Sequence, residues 1–538
     1  MSSLATYIVN TKAALLSALA SASPLRITLG ATIPLDTSIT IPDRHTIVFG
    51  PHGFLRRGTS ATIVYYGGLE ADHRQIFFGY LPGNITGTFK GIPAKPVWWG
   101  AYATPTAPAS NSTVRDDVAI NCAIKAKVAY HGHVVQLDAG YYAIGDSIDL
   151  STTDSLLRGQ GPNRTFLYTV SGWNPTWYYD TLWDGTNTAG RSHSAVVWVG
   201  GNTPDNDYSY NTGVCDLTIN AAYASWANMD EKNPTTGVPT LASRPLKRVS
   251  GISTYGWIQE QTIVENINIT NFTGYGIGGC SGTKPGTAQA FRDTNGLNIR
   301  NFWITSGYAS DCLPVAFGNH SRVCSIKSGT IDMKTDGARN YVRVGIWSQG
   351  NHTKIEDVHF ESVRFGVLIS GSNSQNESVE VNNVDLLWGA DYNMNPANTT
   401  IPTGGELSTA QKGIVNYTKW SCVVLVVGQT KETSPFVSIA ATDATEGEHS
   451  SGWSYTNYHM RVNLRNIMGE NVKYVIRDYA MGVHVPCWDV NQSRQHSGGI
   501  TSYQRSNVFK PATSTTYWET GEPTGTFPAG KTYMTLVP

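Results

Sequence analysis

Six ten-residue stretches share one alternation of apolar and polar positions. They are TGVCDLTINA from Thr212, TIVENINITN from Thr262, LNIRNFWITS from Leu297, CSIKSGTIDM from Cys324, TKIEDVHFES from Thr353 and VEVNNVDLLW from Val379. Positions three, six and eight are apolar throughout, with Gly329 the single gap. One face is therefore buried again and again. Position five is Asp216, Asn266, Asn301, Ser328, Asp357 or Asn383, residues that hydrogen-bond local backbone and tolerate left-handed turns, which predicts a stacked polar turn. From the second window onward the starts lie roughly 26 to 35 residues apart, the length of one coil of a three-sheet β-helix.

A second column follows the windows: GISTY from Gly251, GIGGC from Gly276, VAFGN from Val315, GIWSQ from Gly345 and GVLIS from Gly366. If Ile252, Ile277, Val315, Ile346 and Val367 point inward, alternate residues face out. The fragment VNLRNIMGENVKYVIRD from Val462 echoes the pattern, so the solenoid is expected to resume there. Residues 1–97 read as a lead-in, with a short helix that places Leu15, Leu16 and Leu19 on one face, followed by strand-like runs. A second helix is predicted where Ile120, Ala123, Ile124 and Val128 recur at helical spacing. Asp116 and Asp117 at its start are expected to satisfy its free N–H groups. The expected organisation is a lead-in over 1–97, a β-helix with groove loops over 98–400, and last coils with a capping and oligomerisation region over 401–538.

Composition agrees with this pattern. At 538 residues the chain exceeds what one compact core supports, and 15% charged residues with 54 Gly suit short strands joined by tight turns. With 39 basic and 40 acidic residues, no electrostatic footprint for nucleic acid or an anionic membrane stands out. No apolar run reaches the length of a membrane helix, and residues 13–22 lack the cationic flank of a clear signal peptide. The seven cysteines form no CxxC and read as small buried residues.

WWGAY from Trp98, RDDVAINCAI from Arg115, HGHVVQLDAGYYAI from His131 and LLRGQG from Leu156, followed by the repeat, resemble the entry helix and first coils of the pectate-lyase-like superfamily of single-stranded right-handed parallel β-helix proteins. The resemblance covers roughly residues 1–390 and is greatest to phage and prophage tailspike polysaccharide depolymerases. It implies an all-β solenoid, a homotrimer, an extracellular or virion location, and a glycan held on an exposed sheet or in a groove roofed by loops. PASNSTVRDD stands where the family has a Gly-Asp-Gly-type loop, and His131-Gly132-His133 where it has Gly-Gly.

The chemistry is expected in loops beside adjacent coils, where aromatics and amides suit sugar faces and hydroxyls. The outward positions of the second column show almost no acids, which tilts the reading towards β-elimination from a uronate. Tyr255 or His320 would be the base, with Arg292 and Lys284 holding the sugar carboxylate. Trp257, Glu260, Asp293, Trp347, Gln349 and His352 are the expected substrate contacts. Hydrolysis by two carboxylates on the same scaffold and a non-catalytic glycan-binding spike are the alternatives. His131 and His133 have no third ligand at a readable spacing, so no metal or other cofactor is expected there; whether calcium assists is left open, with no spacing that resembles a calcium loop.

Overall fold

The computed structural model describes residues 5–127, 132–150, 154–180, 192–200, 211–227, 247–254, 261–279, 282–283, 294–307, 312–317, 321–333, 342–348, 352–371, 377–387, 422–429, 460–470, 474–478, 484–489 and 502–505. Residues 1–176, 196–224 and 261–267 form one compact unit, and residues 177–195, 225–260 and 268–538 another. The fold is a right-handed parallel β-helix, the hand that parallel crossover connections take.

In the first unit the lead-in is itself coiled. Ala5–Val9, Leu25–Leu29, Thr46–Phe49 and Gly68–Ala71 stack in parallel. So do Thr32–Leu35, Phe54–Arg57 and Phe77–Phe78, and likewise Ile39–Ile41, Ile63–Tyr65 and Ile85–Gly87. These are three small sheets with about 22 residues per turn, a shorter coil than the windows predict. Their inward residues, among them Ile27, Ile33, Leu35, Ile41, Ile47 and Ile63, are wholly or almost wholly buried. The helix Lys12–Leu19 is capped by the Thr11 hydroxyl, which accepts from the Ala14 N–H at 3.2 Å. Leu15 and Leu19 are buried but Leu16 is exposed, so the apolar face is narrower than the three leucines suggest.

The helix Asp117–Lys125 buries Ile120, Ala123 and Ile124 as predicted, and Val128 lies outside the described residues. Its acids act differently from expectation. Asp116 accepts from the Ala143 N–H at 2.7 Å and the Tyr102 N–H at 3.2 Å, and Asp117 accepts from the Gly145 N–H at 2.7 Å. The carboxylates therefore fasten the helix to the coil. Burial pushes the Asp116 carboxyl up to about 6.

In the second unit Leu297–Thr305, Ser325–Asp332, Thr353–Glu361, Glu377–Leu387 and Met460–Glu470 stack in parallel with their window positions in register. The last pairing places Val462 opposite Val379, so the solenoid resumes where the sequence fragment indicates. The second column stacks alongside as Arg248–Thr254, Tyr275–Gly279, Leu313–Phe317, Val342–Ser348, Val363–Gly371, Cys422–Gln429 and Tyr474–Asp478.

Backbone conformation explains the window pattern. Position five has positive φ in all six windows, from 52° at Asn383 to 61° at Asp216. This left-handed residue bends the strand and shifts the alternation by one, so the inward positions run one, three, then six, eight. The predicted polar stack forms within each unit. The Asn266 amide donates to Asp216 at 2.7 Å, Asn383 to Asp357 at 2.8 Å, and Asn466 to Asn383 at 2.6 Å. Left-handed residues also precede the windows, at Asn211, Gln261, Gly296, Val323 and His352. The gap at Gly329 has a steric cause: a Cβ there would overlap the ring of Phe302 from the coil before. Gly345 likewise clears Phe360, whose ring carbons would lie 2.6 Å from a Cβ.

Val323 is a β-branched residue at φ 54°, yet 66% exposed, so its side chain gives little packing in return for the backbone strain. Val323→Asn is expected to stabilise the protein by about 1 kcal/mol, read as a higher midpoint in thermal scans at fixed rate. Gly329→Val, which forces Phe302 to move, is expected to lower that midpoint by the equivalent of about 1–3 kcal/mol.

Candidate functional site

Strand ends in the second unit bring together three stretches far apart in sequence. The Thr254 hydroxyl, at the end of Arg248–Thr254, lies 3.1 Å from the Thr294 hydroxyl, and both residues are buried. The Thr294 carbonyl accepts from the Arg322 N–H at 2.9 Å and from the Cys324 thiol at 3.2 Å. The Gly296 N–H donates to the Arg322 carbonyl at 2.8 Å, completing a parallel bridge between neighbouring coils. In the chain Tyr255 follows Thr254, Arg292 and Asp293 precede Thr294, and His320 precedes Ser321 and Arg322. Tyr255, Arg292, Asp293 and His320 lie outside the described residues, as do Lys284, Trp257, Glu260 and Gln349.

Ser253, which precedes Thr254 in the chain, belongs to a polar arrangement that sequence reasoning missed. His193 is 3% exposed, its Nε2 lies 3.3 Å from the Ser253 hydroxyl, and its ring meets Tyr275 edge-on at 5.8 Å. Burial pushes this imidazole down to about 3, so it is neutral at ordinary pH. His193 belongs to no window, and a lone histidine near the start of the strand Ser192–Val199 carries no periodic signal.

Trp347 corrects the sequence reading. It does face away from Ile346, but it is only 1% exposed, in a lateral row with Ala316 and Leu368 that is buried throughout. Gly345, two residues earlier on the same strand, faces the Phe360 ring in the interior, so alternation turns the indole to that side and it offers no surface to a sugar. His352 is exposed at φ 55° and serves as the left-handed residue ahead of its window.

A second cluster sits on the outward face of the window strands. The His359 Nδ1–H donates to Asp385 at 2.6 Å and its Nε2–H to Glu361 at 3.1 Å. Asp332 is the lateral neighbour of Glu361, and Thr330 that of His359. The three side chains of the hydrogen-bonded set are 34%, 38% and 30% exposed, so solvent reaches them. The hydrogen bond to Asp385 raises His359 to about 9. An imidazolium held between two carboxylates is a poor base near neutral pH but a well-fixed array of charge and acceptors. These residues occupy positions seven and nine of consecutive windows.

His133, half of the His-x-His motif, is buried with its Nε2 2.8 Å from the Ala123 carbonyl, a structural tie that leaves that nitrogen engaged. Among the described residues no three His, Cys, Asp or Glu side chains are arranged to hold a metal ion.

No protein-family model matches the chain, and no curated protein does. Solved structures of the same fold do. The family 28 exopolygalacturonase of Yersinia enterocolitica is 12% identical, with 78% of this chain and 79% of that one aligned at a TM-score of 0.38. The polygalacturonase of Erwinia carotovora is 13% identical over 76% and 97% of the two chains, at 0.36. A tailspike of an Acinetobacter phage is 11% identical over 74% and 62%, at 0.35. The likeness is to right-handed parallel β-helix proteins and concerns the path of the chain.

The His359 array has a testable pH signature. Because its folded-state pKa is raised, its stabilisation is fully present below the unfolded value of about 6.5 and lost as pH rises through about 9. His359→Gln should therefore melt below wild type at pH 6 and converge with it above pH 9. A constant difference in Tm across that range would remove the ion-pair account.

Proposed function

We propose that the protein binds a long acidic polysaccharide and cuts it internally by β-elimination. The carrying observation is the hydrogen-bonded junction of Thr254, Thr294 and Arg322, each within two residues of a group the chemistry needs. Tyr255 or His320 takes the proton from C5 of a uronate, a C4–C5 double bond forms, and the C4–oxygen bond breaks, the leaving oxygen gaining a proton. Arg292, with Lys284, neutralises the sugar carboxylate and so stabilises the carbanionic charge. Trp257, Glu260, Asp293 and Gln349 supply faces and hydrogen bonds to the neighbouring sugars.

The resemblance of the entry helix and first coils to tailspike depolymerases supports a homotrimer working outside the cell or on a virion. The test is incubation of the purified chain with polygalacturonate, alginate, xanthan and hyaluronan, following chain length by size exclusion and absorbance near ~235 nm for unsaturated uronates. Shortening with new absorbance is the expected result. Shortening without it would replace elimination by hydrolysis, and binding without shortening would make the protein a glycan-binding spike. Tyr255→Phe and Arg292→Ala are each expected to lower kcat/KM at least about 100-fold. If both retain full activity, this assignment fails.

A further inference from the structure

We propose that the outward face of the window strands in the second unit is a separate carbohydrate-binding strip, with Trp303 as the platform for a neutral pyranose ring. Trp303 is 51% exposed, whereas Trp98, Trp99, Trp173, Trp198 and Trp347 are all at or below 8%. It stands on the strand Leu297–Thr305 between Phe302 and Ile304, both buried, so the indole is held outward by two anchored neighbours. A large aromatic kept exposed on a rigid strand suits an apolar sugar face.

The surroundings define the rest of the site. Across the stacked coils Trp303 is followed laterally by Thr330, His359 and Asp385, and Thr305 by Asp332 and Glu361. With strands about 4.8 Å apart, Trp303 and His359 stand roughly 10 Å from each other with only the small Thr330 between them. A pyranose ring fits over that step, with its C–H face on the indole. Asp332, Glu361 and Asp385 are then acceptors for its hydroxyl groups. His359 fixes two of these three carboxylates in place. The excess of carboxylates disfavours an anionic ring, so this strip takes the neutral sugars of a polymer. It neither uses nor requires the groove residues assigned to cleavage.

The test is titration of the full chain with laminarihexaose, cellohexaose, maltohexaose, mannohexaose and a hexamer of galacturonate, followed by tryptophan fluorescence. At least one neutral hexamer should bind saturably. Trp303→Ala should weaken that binding about tenfold or more, with Trp303→Phe in between. Asp332→Asn should weaken it as well, while thermal midpoints stay at the wild-type value. Any cleavage of acidic polymer followed near ~235 nm should be unchanged in these variants, so failure of the strip and failure of the cleavage reading are separately visible. The proposal is overturned if no neutral hexamer binds, if the galacturonate hexamer alone binds, or if Trp303→Ala binds like wild type. It is also overturned if Trp303→Ala changes the oligomeric state by light scattering, which would make the indole a contact between copies.

Discussion

Each coil buries its apolar face only by lying in register on the coil before it, and the rest of the molecule depends on that register being kept. A slip of one residue along a strand would turn Ile326, Ile355 and Val381 outward and bring lysines and glutamates in. The left-handed residues guard against this. They recur at fixed points of the coil, and their side chains tie successive coils directly, as Asn383 does to Asp357 and Asn466 to Asn383. The interior is filled by matching large residues to absent ones, Phe302 against Gly329 and Phe360 against Gly345.

With the interior committed to packing, polar chemistry is left to the strand ends and the outward faces. The strand ends carry hydrogen bonds that fasten neighbouring coils, Thr254 to Thr294 and Thr294 to Arg322. The outward face carries the opposite arrangement, partly solvated charges braced across strands, with Lys327 3.8 Å from Glu356 and Lys354 3.7 Å from Glu380. Exposed pairs of this kind contribute little stability. The His359 set is better braced, since one ring reaches carboxylates on its own strand and on the next.

Much of this was legible in the amino-acid sequence. The period of the windows, the inward positions three, six and eight, the polar turn at position five and the resumption at Val462 all follow from local rules, because burial and left-handed backbone select few residue types. The coils of the lead-in were less legible, since strands of two to five residues carry too few alternations to establish a period. The outward acids were present in the windows but carry no signal as single polar residues on a solvated face.

Trp303 and Trp347 mark where local pattern stops deciding. Both stand between buried neighbours on a strand, yet one is 51% exposed and the other 1%. Likewise nothing local places Thr254 beside Thr294, or His359 between Asp385 and Glu361. The sequence by itself determined which window residues point inward and where the chain turns, since those depend on each residue's own backbone and apolar area. Which outward residues are covered, and which polar ones meet, only the tertiary structure decided, because those depend on segments distant in the chain being stacked one strand spacing apart.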